Sequence, residues 1–540
     1  MNTDLLQKFP LATSVPSEHR LVREVHQRRW LLAGRLHSWD GTCKTVYSPV
    51  WLRGADGMPA AVSIGSYPEM GEVQSNEALD AADAAYDNGR GTWPTMSVAD
   101  RIMCMQRFVA AMLERRAEVV NLLMWEIGKS AADSRKEFDR TVEYIRATIE
   151  ALKDMDNAHS RFAVVEGTIG QVRRTPLGVV LCMGPYNYPL NETFCTLIPA
   201  LLMGNTVVLK PPQYGTLLFE PLLEAFCDCF PPGVVNTIYA PSEIVVPRML
   251  ASGKINVLAL IGSSRVADHL KKQHPKSHRL RAILGLDAKN AAIVMPDADL
   301  DLTVQECVAG ALSFNGQRCT ALKMLIVHRT IVDDFLQRLT HAVERLKIGM
   351  PWEDGVQITP LPGPHRTRFM SEALEDAYNK GARICNDGGG DFYGTLFRPA
   401  IVYPMREGMK LYREEQFGPL VPVMAFDDIE EALNYIVTSD HGQQVSVFGS
   451  DPVQIGALVD PLVYQVCRVN VNTQCQRGPD VFPFAGRKDS AEGTLSVSDA
   501  LRAFSIRSMV ATRASEPNKA LLNAIVSGRH SAFINTDFIF

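Results

Sequence analysis

Cys319 is the residue whose type and neighbours most directly suggest chemistry. It lies in SFNGQRCTALK (313–323), where Gly316 permits a tight turn and Arg318 places a cation beside the thiol. A cysteine attacks a carbonyl carbon as the thiolate, and a neighbouring cation lowers the pKa of the thiol. The stretch therefore predicts a nucleophile that forms a covalent intermediate with a carbonyl compound. Taken alone, it also fits the more common case of a buried structural cysteine.

The segments around this stretch predict parallel sheets. Apolar, β-branched runs alternate with helical segments before Cys319, and the alternation resumes after it. Continuous apolar strands joined by helices are typical of a parallel sheet that is covered on both faces. We therefore predict an α/β fold with two parallel-sheet units. The predicted strands are residues 179–183, 206–210, 234–240, 257–261, 291–295, 324–328, 400–403, 420–426 and 445–450.

The length requires more than one domain, because single cores stop growing near roughly 250–300 residues and this chain has 540. Residues 1–75 carry prolines and tryptophans without a clear period, which predicts an irregular N-terminal extension. We expect a cofactor-binding domain over 76–288 and a catalytic domain over 289–495. Within the first, 158–178 alternates around glycine turns like a hairpin. The last segment, 496–540, holds a further strand and a tail.

Composition excludes several classes of partner. A net charge of −5 leaves no basic footprint for nucleic acid or for an anionic membrane surface. No apolar run approaches the roughly 18 residues of a membrane helix, and the N-terminus does not read as a secretory signal. Eleven cysteines without framework spacing indicate free thiols in a reducing cytoplasm. Cys227 and Cys229 have no second pair or histidine cluster nearby, so we predict no metal site.

The Cys319 stretch is one of five motifs that occur in order along the chain. They are GPYNYPLNETF (184–194), IPALLMGNTVVLKPP (198–212), SFNGQRCTALK (313–323), EEQFGPLVPV (414–423) and RGPDVFPFAGRKDS (477–490). In this order and spacing they resemble the aldehyde dehydrogenase superfamily, most closely its NADP-dependent, non-phosphorylating glyceraldehyde-3-phosphate dehydrogenases. The resemblance spans about residues 76–510 and implies the aldehyde dehydrogenase fold with a small β element for oligomerisation.

The resemblance implies a reaction at Cys319. In that family the cysteine adds to an aldehyde to form a thiohemiacetal, a hydride passes to the nicotinamide, and water cleaves the resulting thioester. The tetrahedral oxyanion needs preorganised hydrogen-bond donors. Asn187 matches the family's side-chain donor, and the backbone N–H of Cys319 is the other donor. Without the resemblance, Asn187 would be interpreted as a turn residue.

The cofactor implied is NADP, with NAD as the alternative. Where NAD-preferring relatives carry a glutamate for the ribose hydroxyls, this chain has Gln213, whose neutral side chain does not repel a 2′-phosphate. A glycine–serine pair after strand 257–261 matches a helix N-terminus near the pyrophosphate, where backbone amides suit an anion. The family's cofactor contacts fall on Lys210, Gln213, Gly262, Ser263, Glu415 and Phe417.

The substrate implied is a small phosphorylated aldehyde. A phosphate group is well matched by the planar donor forks of arginine side chains. The family's phosphate-binding positions fall on Arg140, Tyr188, Arg318 and Arg477. The expected reaction is therefore the oxidation of D-glyceraldehyde 3-phosphate to 3-phosphoglycerate. A nearer alternative is another short acidic aldehyde, such as a semialdehyde, with the arginines holding a carboxylate.

One motif departs from the family pattern. In the family, the glutamate that activates water lies in a Glu-Leu-Gly-Gly-Lys stretch. In this chain the corresponding stretch begins with Gly285 in place of that glutamate. Asp287, two positions along the strand, returns to the same face and is the predicted replacement base. An Asp287 that only caps the adjoining turn is the alternative. In that case a catalytically weak binding protein with this fold becomes a further alternative.

Assembly is the last expectation. The 158–178 hairpin and the 506–513 run resemble the family's oligomerisation strands, which favours a homodimer or homotetramer, although an edge strand of the same subunit fits equally well. The tail over 516–540 is expected to pack on a neighbouring subunit or over a cleft.

Overall fold

A computed structural model describes residues 3–21 and 23–540, and its N-terminal part is more regular than the sequence indicates. A short helix and seven short strands replace the expected irregular extension. Two of the strands flank β7, giving a three-stranded sheet in the order β1-β7-β4. The elements are α1 (Thr3–Lys8), β1 (Val25–His26), β2 (Arg29–Leu32), β3 (Arg35–Ser38), β4 (Cys43–Tyr47), β5 (Leu52–Arg53), β6 (Pro59–Ala60) and β7 (Ser63–Pro68).

The first α/β unit is built on a six-stranded sheet in the order β12-β11-β10-β13-β14-β26. Its first five strands are parallel, and β26, which comes from residues 491–492, pairs antiparallel with β14. The elements in chain order are α2 (Glu72–Tyr86), α3 (Thr92–Thr95), α4 (Val98–Glu114), α5 (Arg116–Ile127), α6 (Ala131–His159), β8 (Ala163–Val165), β9 (Thr168–Pro176), β10 (Val179–Met183), α7 (Asn191–Leu202), β11 (Thr206–Lys210), α8 (Leu223–Cys229), β12 (Val235–Thr237), α9 (Ser242–Ala251), β13 (Ile255–Ile261), α10 (Ser264–Lys271) and β14 (Arg281–Gly285).

The second unit is built on a seven-stranded sheet in the order β17-β20-β21-β16-β15-β23-β24, parallel except for β17. The elements are β15 (Ala291–Val294), α11 (Leu300–Leu312), β16 (Met324–His328), α12 (Val332–Glu344), α13 (Pro364–Asn379), β17 (Arg383–Ile384), β18 (Phe392–Tyr393), β19 (Leu396–Phe397), β20 (Ala400–Tyr403), α14 (Lys410–Arg413), β21 (Leu420–Phe426), α15 (Ile429–Thr438), β22 (His441–Gly442), β23 (Gln444–Phe448), α16 (Pro452–Leu462), β24 (Arg468–Val471), β25 (Arg487–Lys488) and β26 (Ala491–Glu492). The predicted fold class, two parallel-sheet α/β units with a small additional β element, is confirmed.

The two sheets meet at opposite strand ends. In the first sheet, β10, β11, β13 and β14 all run toward the cavity, so the loops that follow their carboxyl ends lie together, as in other open α/β sheets. In the second sheet, the segments that precede the amino ends of β16 and β21 face the same cavity, and they contain Cys319 and Glu415. Residues far apart in sequence are therefore brought to one site.

Helix α6 carries one wall of that site. Ser130 caps the helix by accepting a hydrogen bond from the backbone N–H of Asp133 at 3.1 Å. Its apolar stripe is buried against the core, whereas Arg140 lies off the stripe and reaches the cavity. The buried stripe residues are Phe138, Val142, Ile145, Ile149 and Leu152.

The C-terminal region returns to the first unit. After α17 (Val497–Ala503), β27 (Ser505–Arg513) pairs antiparallel with β9, and β8 completes a three-stranded sheet. Helix α18 (Glu516–Ser527) follows, and the tail beyond it packs on its own chain: Ile539 exchanges two backbone hydrogen bonds with the side chain of Asn157. Contact of the tail with a neighbouring subunit stays a prediction. No helix within residues 3–21 and 23–540 combines the length and apolar character needed to span a bilayer.

Candidate active site

A single cavity of about 1360 Å³ contains all the site residues that the sequence predicts. It lies between the two sheets, and Cys319 is part of its wall. The predicted residues on its wall are Arg140, Asn187, Tyr188, Lys210, Gln213, Gly262, Ser263, Asp287, Arg318, Cys319, Glu415, Phe417 and Arg477. In the part of the chain that the structure describes, no group of three or more histidine, cysteine or carboxylate side chains could hold a metal ion.

A left-handed turn presents Cys319 to the cavity. Phe314, Asn315 and Gly316 have φ values of +48°, +57° and +71°. A Cβ at Gly316 would lie 2.6 Å from the carbonyl oxygen of Gly418 and 2.7 Å from another, so only glycine fits. The side chain of Asn315 fixes the turn, because its Oδ1 accepts a hydrogen bond from the backbone N–H of Thr359 at 2.9 Å.

The charges around Cys319 differ from those that the sequence suggests. Burial raises the pKa of the Cys319 thiol, and the carboxylate of Glu192 raises it further, whereas Lys323 and Arg477 lower it. Arg318, the sequence neighbour, is turned away: its Nη2 donates to the carbonyl oxygens of residues 309 and 310 at 3.1 and 2.9 Å. The cations that favour the thiolate are therefore Lys323, four residues further along the same stretch, and Arg477, from a distant segment.

Asn187 is held close to the cysteine turn. Its side-chain Nδ2 donates to the carbonyl oxygen of Gln317, two residues before Cys319, at 2.8 Å. One N–H of that amide is thus engaged, and the second can face an oxyanion. The backbone carbonyl of Asn187 accepts from the Nζ of Lys129 at 2.7 Å, and Lys129 in turn pairs with Glu137. Both members of this ion pair are fully buried.

Lys323 connects Cys319 to Glu415, one of the predicted cofactor contacts. Lys323 donates to the carbonyl oxygen of Cys319 at 3.1 Å and pairs with the carboxylate of Glu415. The same Glu415 oxygen accepts the backbone N–H of Ala288 at 3.2 Å. The ammonium group of Lys323 also lies 5.4 Å from the ring centroid of Phe417. The predicted ribose-binding carboxylate is therefore already oriented before any cofactor binds.

Lys210 supplies a buried cation at the predicted cofactor end of the cavity. Lys210 is 8% exposed and has no hydrogen-bond partner among residues 3–21 and 23–540, and burial lowers the pKa of its ammonium group to about 8. Gln213 lies exposed at the rim. An unpaired, partly desolvated lysine is suited to hold the ribose or phosphate of a dinucleotide. Ser263 caps α10, because its Oγ accepts the backbone N–H of Val266 at 3.4 Å.

Asp287 lies at that same helix end. Its Oδ2 accepts the backbone N–H of Ser264 at 2.7 Å and the Oγ of Ser264 at 2.9 Å. One carboxylate oxygen is thus committed to the first turn of α10, at the cofactor end of the cavity. The role of Asp287 as the water-activating base stays a prediction.

The substrate end is a network of ion pairs. Arg140 donates to both oxygens of Asp480 at 3.0 and 2.8 Å, and Arg477 donates to Asp480 at 3.3 Å. Arg477 also pairs with the carboxylate of Glu192 and lies 4.6 Å above the ring of Phe484. Of the three predicted arginines, only Arg318 binds neutral acceptors alone. Tyr188 packs beside them, with the ammonium group of Lys129 3.5 Å from its ring centroid.

Comparison with known proteins shows the family of this chain. The sequence profile described as "Aldehyde dehydrogenase family" matches residues 59–510. The chain belongs to the aldehyde dehydrogenase family. It is 33% identical over 451 residues to the NADP-dependent glyceraldehyde-3-phosphate dehydrogenase of Streptococcus equinus, covering 82% of this chain and 91% of that protein. It is also 29% identical over 491 residues to malonate-semialdehyde dehydrogenase 3 of Geobacillus kaustophilus, covering 87% and 99%.

A solved structure supports the same assignment. The NADP-dependent glyceraldehyde-3-phosphate dehydrogenase of Bacillus halodurans, complexed with NADP, is similar with a TM-score of 0.82 and 28% identity, covering 91% of this chain and 100% of that chain. The predicted membership of the superfamily is confirmed. Aldehyde dehydrogenase activity with a nicotinamide dinucleotide follows from it.

Sequence reasoning missed three charged residues of this aldehyde dehydrogenase site. Glu192, Lys129 and Lys323 all lie within contact of residues that were predicted. Two of them could have been found, because Glu192 and Lys323 lie inside the motifs GPYNYPLNETF and SFNGQRCTALK, among neutral neighbours. A charge in an otherwise buried stretch requires a partner. No such signal marks Lys129 in the sequence, because only the folded structure shows that Glu137 is its partner.

Proposed function

We propose that this chain is an NADP-dependent aldehyde dehydrogenase that oxidises D-glyceraldehyde 3-phosphate to 3-phosphoglycerate, irreversibly because water, not phosphate, cleaves the thioester. The observation that carries this proposal is the convergence of Arg140, Arg318 and Arg477 with Tyr188 on the cavity that contains Cys319. An anionic group held there leaves the aldehyde carbon of a three-carbon substrate near the thiol. The arginine forks suit a phosphate.

The residues perform the first step as follows. The thiolate of Cys319, favoured by Lys323 and Arg477, adds to the aldehyde carbon. The carbonyl oxygen becomes an oxyanion that receives hydrogen bonds from the side-chain amide of Asn187 and the backbone N–H of Cys319. The Asn187 amide is preorganised by its bond to Gln317, so little reorganisation is needed.

NADP, when bound, accepts the hydride that leaves the thiohemiacetal carbon. Lys210 would contact its adenosine ribose and 2′-phosphate, and Glu415 its nicotinamide ribose, in agreement with the free Lys210 ammonium group and the oriented Glu415 carboxylate. Phe417, Gly262 and Ser263 would complete the contacts. The neutral Gln213 at the rim favours NADP over NAD.

A second candidate substrate is a carboxylate-bearing aldehyde such as a semialdehyde. It is favoured by the pairing of Arg140 with Asp480 and of Arg477 with Glu192. These pairs leave Arg318 as the guanidinium without a carboxylate, and one cation balances a monoanion better than a phosphate dianion. The chain's likeness to a malonate-semialdehyde dehydrogenase fits the same proposal.

The test is a substrate and cofactor panel on the purified protein. We expect NADPH formation from D-glyceraldehyde 3-phosphate without inorganic phosphate or coenzyme A, and none from Cys319→Ser. The ratio of kcat/KM for this substrate and for succinic and malonic semialdehydes decides between the two candidates. A requirement for phosphate or coenzyme A would contradict the proposed reaction.

For assembly we propose a homodimer or homotetramer in the cytoplasm, built through the β27-β9-β8 sheet. Several apolar side chains of this sheet are exposed in the single chain, including Val164, Val165, Ile506 and Met509. Light scattering after gel filtration measures the assembly. A monomer at micromolar concentration would contradict it.

A further inference from the structure

Thioester hydrolysis, the last step of the function proposed above, needs a base, and the role inferred below rests on that function. At Gly285, where the family carries its glutamate, the surroundings are apolar. A Cβ there would contact side-chain atoms of Ile261 and Leu495 at 3.5 Å. The carboxylate of Asp287 is bound on one oxygen by Ser264 at the start of α10. Position 285, where the family carries its base, therefore has no carboxylate. The predicted substitute, Asp287, binds the start of α10.

A second carboxylate lines the same cavity on the substrate side. Glu192 lies in the first turn of α7, and its side chain is 10% exposed. Its Oε2 is held by the guanidinium of Arg477, whereas Oε1 has no hydrogen-bond partner in the described part of the chain. The backbone N–H of Glu192 donates to Tyr188 at 3.1 Å, so one tight turn fixes Glu192 relative to Asn187.

The position of Glu192 is unfavourable for the first step. Of the charged groups around Cys319, Glu192 does most to raise the pKa of the thiol, and so it opposes thiolate formation. Lys323 and Arg477 act in the opposite direction. Once Cys319 is acylated, its sulfur carries no charge and the repulsion disappears. Glu192 lines the same cavity as Cys319 and keeps a free oxygen, so after acylation it is suited to assist the last step.

We infer that Glu192 is the base that activates water for hydrolysis of the Cys319 thioester. The free Oε1 takes a proton from a water molecule as the water oxygen bonds to the thioester carbon. Asn187 and the Cys319 backbone N–H stabilise the oxyanion. The carbon–sulfur bond then breaks, the thiolate leaves and takes up the proton from Glu192, and the acid product departs. Water and thioester are consumed, and acid and thiol are formed. Arg477 holds Oε2 of Glu192, which lines the cavity, and leaves Oε1 without a partner.

The deciding experiment is rapid-mixing kinetics of Glu192→Gln with Asp287→Asn beside it. In Glu192→Gln we expect a full burst of NADPH, one per active site, followed by hydrolysis roughly 10²–10⁴-fold slower than in the parent, the usual value of general-base assistance. Mass spectrometry of the quenched protein should find the acyl group on Cys319. Glu118→Gln is the matched control, because it removes the same charge from an exposed position outside the cavity, and it should accumulate no acyl-enzyme.

Each outcome decides the matter. Acyl-enzyme in Asp287→Asn but not in Glu192→Gln would overturn the role of Glu192 and support Asp287. A Glu192→Gln protein that loses the burst in proportion to its turnover would also overturn it, since Glu192 would then act before hydrolysis. Glu192→Asp keeps the carboxylate and should recover part of the hydrolysis rate if the fold is intact. Absence of any NADPH formation by the parent protein with every aldehyde tested would instead refute the proposed function.

Discussion

Replacing Lys129 with methionine should destabilise the protein and slow its chemistry. The Nζ of Lys129 pairs with the carboxylate of Glu137, and both side chains are fully buried. Removing one partner leaves an uncompensated buried charge, at a cost of about 3–5 kcal/mol. For a cooperative unit of about 250 residues, each kcal/mol lowers Tm by about 2 °C, so Lys129→Met should melt about 6–10 °C below the parent.

The second effect is on the oxyanion donor. Lys129 also holds the backbone carbonyl of Asn187 at 2.7 Å, and without it the loop that carries Asn187 loses its anchor. The upper limit of the loss in kcat is roughly 10²–10³-fold, the value of one oxyanion donor. The KM for the aldehyde should change little, because Lys129 is buried away from the substrate behind Asn187 and Tyr188.

A double variant separates the two effects. Glu137 also accepts the backbone N–H groups of Leu190 and Asn191, each at 3.1 Å. In Lys129→Met/Glu137→Gln the amide oxygen keeps these acceptor contacts while the buried charge is gone. Thermal melting should therefore recover most of the lost stability, whereas kcat should stay low. A single variant that melts within 1 °C of the parent, or a double variant less stable than the single one, would refute the reasoning.

Three further predictions concern charge at the site. Arg318→Leu should raise the KM for an anionic aldehyde roughly 10–100-fold, the value of a lost charged hydrogen bond. The kcat/KM for acetaldehyde should stay within about threefold of the parent value. An equal loss of kcat/KM for the anionic aldehyde and for acetaldehyde would contradict a contact between Arg318 and the substrate. Because the pKa of the Cys319 thiol is raised, the NADPH burst rate should increase with pH from pH 7 upward by up to about tenfold per pH unit. Glu192→Gln should shift this pH profile to lower pH. A burst rate that does not change with pH would contradict the raised pKa. Lys210→Met should weaken NADPH binding roughly 10–100-fold by calorimetry, and an unchanged Kd would remove Lys210 from the cofactor site.

Much of the fold could be predicted from apolar runs. The predicted strands at 179–183 and 206–210 coincide with β10 and β11, because central strands of a covered parallel sheet are apolar on both faces. Two of the strands that were missed are short segments at sheet edges. β24 reads RVNV and β26 has two residues, and neither carries a period of its own. Such segments become strands because a neighbouring strand offers hydrogen bonds, which only the assembled sheet supplies.

The site divides in a similar way. Motif order identified Cys319 and Asn187, since the chemistry of a thiol nucleophile and an amide donor depends on residue type. The charge state of the cavity could not be predicted, because it depends on which side chains meet across distant segments. Arg477 pairs with Glu192 across 285 positions of sequence, and Arg140 with Asp480 across 340.

By itself, the sequence determined the family and the two parallel sheets and predicted the nucleophile, because all three depend on residue types and their local order. Only the tertiary structure decided the direction of Arg318 and the partners of the other two arginines. It also decided that Asp287 binds the start of α10 while Glu192 keeps a free oxygen in the cavity that contains Cys319. The physical reason is that electrostatic energy depends on distance and burial, and both are properties of the folded chain.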